Sequence, residues 1–317
     1  MKQNRREFIT KIAAAGTAIP FASALDPFRL TPVENRFPVR LFSKPLDSYE
    51  FGFMCECVSR AGIKGFDLTV RPGGKVEPSK VETDLPLLVD EAKKHNIAID
   101  MMVSGILSAS DPLTERVLKT ASSSGVKYYR LGWFDYDPEI GIWESIQKYR
   151  TILKKIAGLN RKYKIHGGYQ NHAGLMVGGP VWDLHELLRG LPPEFVGSQY
   201  DVRHAMVEGA YSWILGMRLI ADHIKTIAVK DFKWETVNNR SEAVSVPLGE
   251  GWVDFDLFFK TIKELNISGP ITLHIEYPLL ERGEENLSLT AQQNIIVSKM
   301  KKDMDYLNRM LNKYQLI

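Results

Sequence analysis

Eight short apolar runs, each followed by a polar loop and a helical stretch, constrain this chain more than any other feature. Their cores fall at Val39–Ser43, Lys64–Val70, Ala98–Ser104, Lys127–Trp133, Lys164–Asn171, Gly197–Val202, Lys225–Asp231 and Pro270–Tyr277. Successive starts lie about 25 to 45 residues apart, the spacing of strand–helix units in an α/β fold. The stretches between them carry apolar residues three and four apart: Leu85, Leu88, Val89 and Ala92; Ile152, Leu153, Ile156 and Leu159; Leu257, Phe258, Ile262 and Leu265. That period places them on one helical face. Leu287 to Leu311 reads as a long amphipathic helix with Ile295, Ile296, Met300, Met304 and Leu307 turned to the core. Long terminal helices on barrels also pack between subunits, which leaves a homo-oligomer and a monomer both open. Eight units in about 280 residues fit a single (β/α)8 TIM barrel. A doubly wound sheet would carry a glycine-rich phosphate turn after the first strand. Leu46-Asp47-Ser48-Tyr49 stands there instead, and Arg71-Pro72-Gly73-Gly74 after strand two lacks the glycine spacing.

The N-terminus obeys a different logic. Asn4-Arg5-Arg6-Glu7-Phe8-Ile9 is a twin-arginine pattern, followed by an apolar run from Ile12 to Ala24 that ends in Ala22-Ser23-Ala24, a small-x-small cleavage signal. The run is too short to span a bilayer. Residues 1–24 are therefore expected to be a twin-arginine signal peptide, residues 25–37 a proline-containing linker, and residues 38–317 the barrel. Twin-arginine export carries folded proteins, so the expected location is periplasmic or otherwise extracytoplasmic, with no membrane span after cleavage.

The chain has 41 basic and 38 acidic residues; Lys2, Arg5, Arg6, Lys11 and Glu7 lie in the first 24, so the mature chain is balanced. It has no basic excess to suggest a nucleic-acid partner. At 44% hydrophobic and 25% charged, the composition also excludes a disordered or disulfide-scaffold protein. Cys55 and Cys57 sit two apart in a helical stretch, so their side chains diverge and no disulfide between them is expected.

Barrel enzymes work at the C-terminal ends of their strands. Alternate strand residues share a face, which groups Gln170 with His172 after strand five and His274 with Glu276 after strand eight. Strand six ends in Tyr200-Asp201-Val202-Arg203-His204 and strand seven in Lys230-Asp231. Four consecutive strands thus deliver carboxylate, imidazole, amide and ammonium groups to one rim. Burying such a set in an apolar barrel is costly unless its members pair or bind a cation.

At these residues the chain resembles the xylose-isomerase-like TIM barrels, the sugar-phosphate isomerase/epimerase superfamily, over about residues 38–310. The resemblance rests on Tyr169-Gln-Asn-His-Ala-Gly174, Asp201-Val-Arg-His204 with Glu208, Val229-Lys-Asp-Phe232, Gly249-Glu-Gly-Trp-Val-Asp-Phe255 and His274-Ile-Glu-Tyr277. It implies a divalent metal held by Glu, Asp, His and Glu on strands five to eight. Asp201 and Glu276 match that pattern; Gln170 stands for the strand-five glutamate and Ala228 for the strand-seven histidine. A glutamine amide is no base near neutrality and an alanine binds no metal. Two arrangements remain open. In one, Mn, Mg or Zn is held by a rebuilt shell of Asp201, Glu276 and His172, with His204, His274 or Gln170 in reach. In the other, Lys230 supplies the positive charge.

The expected chemistry is that of a sugar isomerase or epimerase, acting on a carbohydrate that carries a carbonyl. The metal or Lys230 would polarise the carbonyl, and Glu276, His172 or His204 would move the adjacent proton. A keto-glycoside lyase or hydratase is the alternative on the same barrel, and a non-catalytic sugar-binding barrel a further one. Expected substrate contacts are Arg130, Gln170, Arg203, His274, Trp234 and Glu250. The arginines suit a carboxylate or phosphate. Trp133, Tyr136, Trp182, Trp234 and Trp252 lie in or near the loops, where flat rings stack on sugars.

Overall fold

The computed structural model describes residues 36–317, so the twin-arginine segment and nearly all of the linker lie outside the described residues. Ten strands occur among them: β1 (Val39–Phe42), β2 (Gly65–Val70), β3 (Ala98–Ser104), β4 (Tyr128–Arg130), β5 (His166–Gln170), β6 (Val196–Asp201), β7 (Ile224–Val229), β8 (Asp231–Val237), β9 (Arg240–Val246) and β10 (Ile271–Leu273). Eight of them close into a parallel barrel, β1 through β7 in sequence with β10 completing the ring between β7 and β1. Each expected strand is present. Strands β2, β5 and β6 are buried along their whole length, as a parallel sheet covered on both faces requires.

The helices that cover the barrel are α1 (Phe51–Arg60), α2 (Val81–Lys94), α3 (Pro112–Ser123), α4 (Ile142–Tyr163), α5 (Val181–Leu188), α6 (Val202–Gly209), α7 (Trp213–Leu219), α8 (Phe255–Glu264) and α9 (Leu289–Lys313). Asp111 and Asp254 cap α3 and α8, each accepting a backbone N–H two or three residues on at 2.8 Å; such caps satisfy donors the helix leaves free. The stripe of α9 buries Ile296, Met300, Met304 and Leu307 and packs on α1 and α8. Cys55 and Cys57 are both buried and unbridged in α1. Among the described residues no helix is long and apolar enough to cross a membrane.

One element departs from the repeating pattern. Strands β8 and β9 form an antiparallel hairpin between β7 and α8, closed by Asn238-Asn239 with φ of 50° and 62°. Positive φ at both turn residues is what a two-residue type I′ hairpin requires, and asparagine tolerates it. The base of the hairpin is fixed by Asp231, which is 1% exposed. Its carboxylate accepts the backbone N–H groups of Phe232 (2.8 Å), Gly249 (3.0 Å), Gly251 (2.9 Å) and Val253 (3.1 Å). Gly251 must be glycine here, because a Cβ would lie 2.2 Å from Asp231 Oδ1.

Candidate active site

Period-two alternation at the end of β7 sends Lys230 into the barrel mouth and Asp231 outward to the hairpin. Lys230 is the centre of the site. Its ammonium, 3% exposed, donates to Glu276 Oε1 at 2.9 Å and lies 3.3 Å from Asp201 Oδ2. Asp201, at the end of β6, is fully buried and also caps α6 by accepting the His204 N–H at 3.0 Å. Burial works against ionisation of Asp201, but the Lys230 charge beside it outweighs the burial and holds the carboxyl at about 2. Glu276 is likewise held well below the usual carboxylate range: burial raises it, and His274 and Lys230 more than reverse that.

The polar chain continues around the rim. Gln170 donates from Nε2 to Asp201 Oδ2 (2.8 Å) and accepts from Arg130 Nη1 on Oε1 (2.9 Å). A glutamate at 170 would put two carboxylates at hydrogen-bond distance; the neutral amide instead joins a cation to an anion. Arg130 stacks on Trp133 with 4.0 Å between guanidinium carbon and ring centre. His274 lies 3.5 Å from Glu276 Oε1 and stacks on Phe42 at 4.4 Å. Both of its ring nitrogens are buried without a hydrogen-bond partner.

The two remaining histidines differ in role. His204 accepts a hydrogen bond from Arg203 Nη1 on Nδ1 (3.0 Å); a guanidinium only donates, so the ring hydrogen sits on Nε2. Burial, against Asp201, holds His204 at about 2, so it is neutral. His172 makes its Nδ1 contact with the Ala173 carbonyl at 3.0 Å. A carbonyl only accepts, so Nδ1 carries the hydrogen and Nε2 keeps its lone pair. Burial and then the Lys230 charge push His172 below the ordinary imidazole value, so it too is neutral at pH 7.

A cavity of about 710 Å³ opens over this chain, within the range of small-molecule sites. Of the residues expected from the sequence, Arg130, Gln170, His172, Lys230, His274 and Glu276 line it. Asp201 and His204 stand behind that wall. Arg203 turns away: its Nη2 donates to the Ala243 carbonyl at 2.6 Å and anchors the hairpin. Trp234 is exposed on the hairpin, and Glu250 pairs with Lys302 on α9; neither lines the cavity. Trp133, expected as a stacking ring, and Tyr277 of the last motif line it too, whereas Phe42, Lys44, Arg71 and Ser245 line it and were not expected as site residues. Arg71 immediately follows β2 and Lys44 comes two residues after β1, and position at a strand's C-terminal end was the available signal.

The metal shell expected from Asp201, Glu276 and His172 does not fit this arrangement. Lys230 already bridges the two carboxylates, and among the described residues no group of three His, Cys, Asp or Glu side chains converges as metal ligands do. The second of the two arrangements left open by the sequence is the one these distances describe.

Fold and rim together define a TIM barrel with a polar pocket at the C-terminal face of its strands. The family described as xylose isomerase-like TIM barrel matches residues 55–295, and the chain belongs to it. Solved structures share the architecture at low identity. The IOLI protein with a bound zinc atom superposes with a TM-score of 0.66 at 15% identity, covering 88% of this chain and 99% of that one. The D-allulose 3-epimerase from Methylomonas sp. gives 0.63 at 14%, covering 87% and 98%. The probable 3-DHS dehydratase AsbF from Bacillus anthracis gives 0.62 at 13%, covering 86% and 99%. No curated protein sequence matches the chain.

Proposed function

We propose that this protein acts on a carbohydrate or related polyol bearing a carbonyl, and moves the proton on the carbon next to it. The observation that carries the reading is the buried Lys230 ammonium at the floor of the cavity, with the neutral His172 imidazole on the same wall. The substrate carbonyl oxygen accepts a hydrogen bond from Lys230, and the charge that develops on that oxygen is stabilised there. His172 Nε2 takes the adjacent proton. In an isomerisation the same imidazolium returns the proton to the former carbonyl carbon, and the hydroxyl proton on the neighbouring carbon passes to the former carbonyl oxygen. Glu276 accepts the Lys230 hydrogen bond and holds the side chain in place. Structural neighbours named as an epimerase and a dehydratase support a sugar-active barrel.

Elimination is the second reading, and Gln170 favours it over epimerisation. Epimerisation needs a proton-transfer group on each face of the substrate carbon. Gln170 cannot serve as one, and Glu276 is held ionised and has no proton to return. Loss of a substituent from the enediolate needs only the one base.

The test is solvent exchange. In D2O, NMR should show deuterium entering the position next to the carbonyl of a ketose or a 3-keto-glycoside. His172→Asn should abolish it, and Glu276→Gln should remove turnover while leaving the fold intact. Because the neutral imidazole is the working form and its pKa is lowered, activity should be flat above about pH 6.5 and fall only below it. Absence of exchange across a broad panel of keto sugars would overturn the reading. We also propose that the folded barrel is exported by its N-terminal segment; fractionation of cells expressing the full chain checks this.

A further inference from the structure

The charges lining the cavity are unequal. Lys44, Arg71, Arg130 and Lys230 face it, against the single carboxylate of Glu276. That carboxylate is already committed to Lys230 and His274. Among the described residues Lys44 and Arg71 make no ion pair and no side-chain hydrogen bond; the Arg71 guanidinium lies 5.9 Å from the centre of the Phe42 ring. Arg130 is 4% exposed, and its Nε is buried with no partner. Burial first, and then the like charge of Arg71, bring Arg130 down to about 10, so the two guanidiniums are close enough to repel. A fold that keeps like charges together in a half-closed cavity gives up stability unless a counter-charge enters.

We propose that the substrate carries an anionic oxygen group, a carboxylate or a phosphate, which binds between Lys44, Arg71 and Arg130. This rests on the reading of the cavity as a carbohydrate site and narrows its substrate to an acidic sugar. Guanidiniums suit the role because their paired N–H donors match two oxygens of either group. Lys44, at the start of the 3-10 turn after β1, adds a point charge to the same wall. The carbonyl end of the same molecule then faces Lys230.

Binding of four probes to the purified full chain tests the proposal: glucuronate, glucose 6-phosphate, inorganic phosphate and neutral glucose, by calorimetry at low salt. At least one acidic sugar should bind about tenfold or more tightly than glucose, and the preference should shrink as salt is added. Arg71→Ala and Lys44→Ala should each lose most of that preference. Neither side chain has a partner among the described residues, so neither variant should melt below the wild type, and Arg71→Ala should melt somewhat above it because its repulsion of Arg130 is gone. Preference for glucuronate alone identifies a carboxylate, and preference for glucose 6-phosphate together with binding of inorganic phosphate identifies a phosphate; either supports the proposal. Equal binding of glucose and both acids overturns it, as does a preference that survives in Arg71→Ala and Lys44→Ala. The two readings fail separately. Proton exchange confined to neutral sugars removes the anionic subsite and keeps the chemistry, whereas tight binding of acids with no exchange in any keto sugar does the reverse.

Discussion

Lys230→Ala should unfold about 3–5 kcal/mol more easily than the wild type at pH 7, the cost of leaving a buried carboxylate without its counter-ion. Asp201 is fully buried and Lys230 is the largest of the favourable influences on its ionisation. The sign of the pH dependence follows. In the wild type the folded carboxyl titrates at about 2, below its unfolded value near 3.9. Its contribution to stability is therefore present above pH 4 and lost as the pH falls toward 2. The variant lacks that contribution, so the gap between the two proteins should be wide at pH 7 and narrow by about pH 3. Urea unfolding at both values measures it. The same substitution opens a space flanked by Asp201, Glu276 and the histidines. Added Mn2+ or Zn2+ should raise the melting temperature of Lys230→Ala and leave that of the wild type unchanged. An equal rise in both proteins would mean that the ammonium does not occupy the cation position.

The second large effect belongs to Asp231. Asp231→Ala removes one acceptor group and leaves four backbone donors unpaired. Each buried donor left unmet costs about 1–3 kcal/mol. Relaxation and water reduce the sum, so a loss of about 3–5 kcal/mol is expected, among the large effects for a point substitution. Asp231→Asn, which retains one accepting oxygen, should lose distinctly less. Hydrogen exchange should locate the damage at Phe232 and residues 249–253. A protected loop in Asp231→Ala would show that other contacts hold it.

How much of this was legible in the sequence depends on what kind of information a residue carries. The strands of the barrel were legible because an apolar run between a helix and a polar loop has few other places to go. The hairpin was missed, although Asn238-Asn239 between alternating residues was its signal. The rim residues were legible because the barrel directs attention to strand ends. What each one does there was less so. Arg203 and His204 are adjacent in sequence, yet one anchors the hairpin and the other stands behind the cavity wall. Lys230 and Asp231 were read as a pair delivered to the rim, and alternation separates them. Lys44 and Arg71 belong to no motif. Their interest arises from having no partner, which only three-dimensional placement reveals. The choice between a metal shell and an ammonium was posed by Gln170 and Ala228, but spacing along the chain does not give the distance from Lys230 to Asp201.

The two thiols in α1 have a bearing on how the chain can be made. Burial pushes Cys55 up to about 12 and Cys57 to about 11, so neither presents the thiolate that starts disulfide exchange or reacts with peroxide. A barrel without a reactive sulfur has no pairing problem to solve. It can mature in a reducing compartment, meet an oxidising one afterwards, and be handled without a reductant in either.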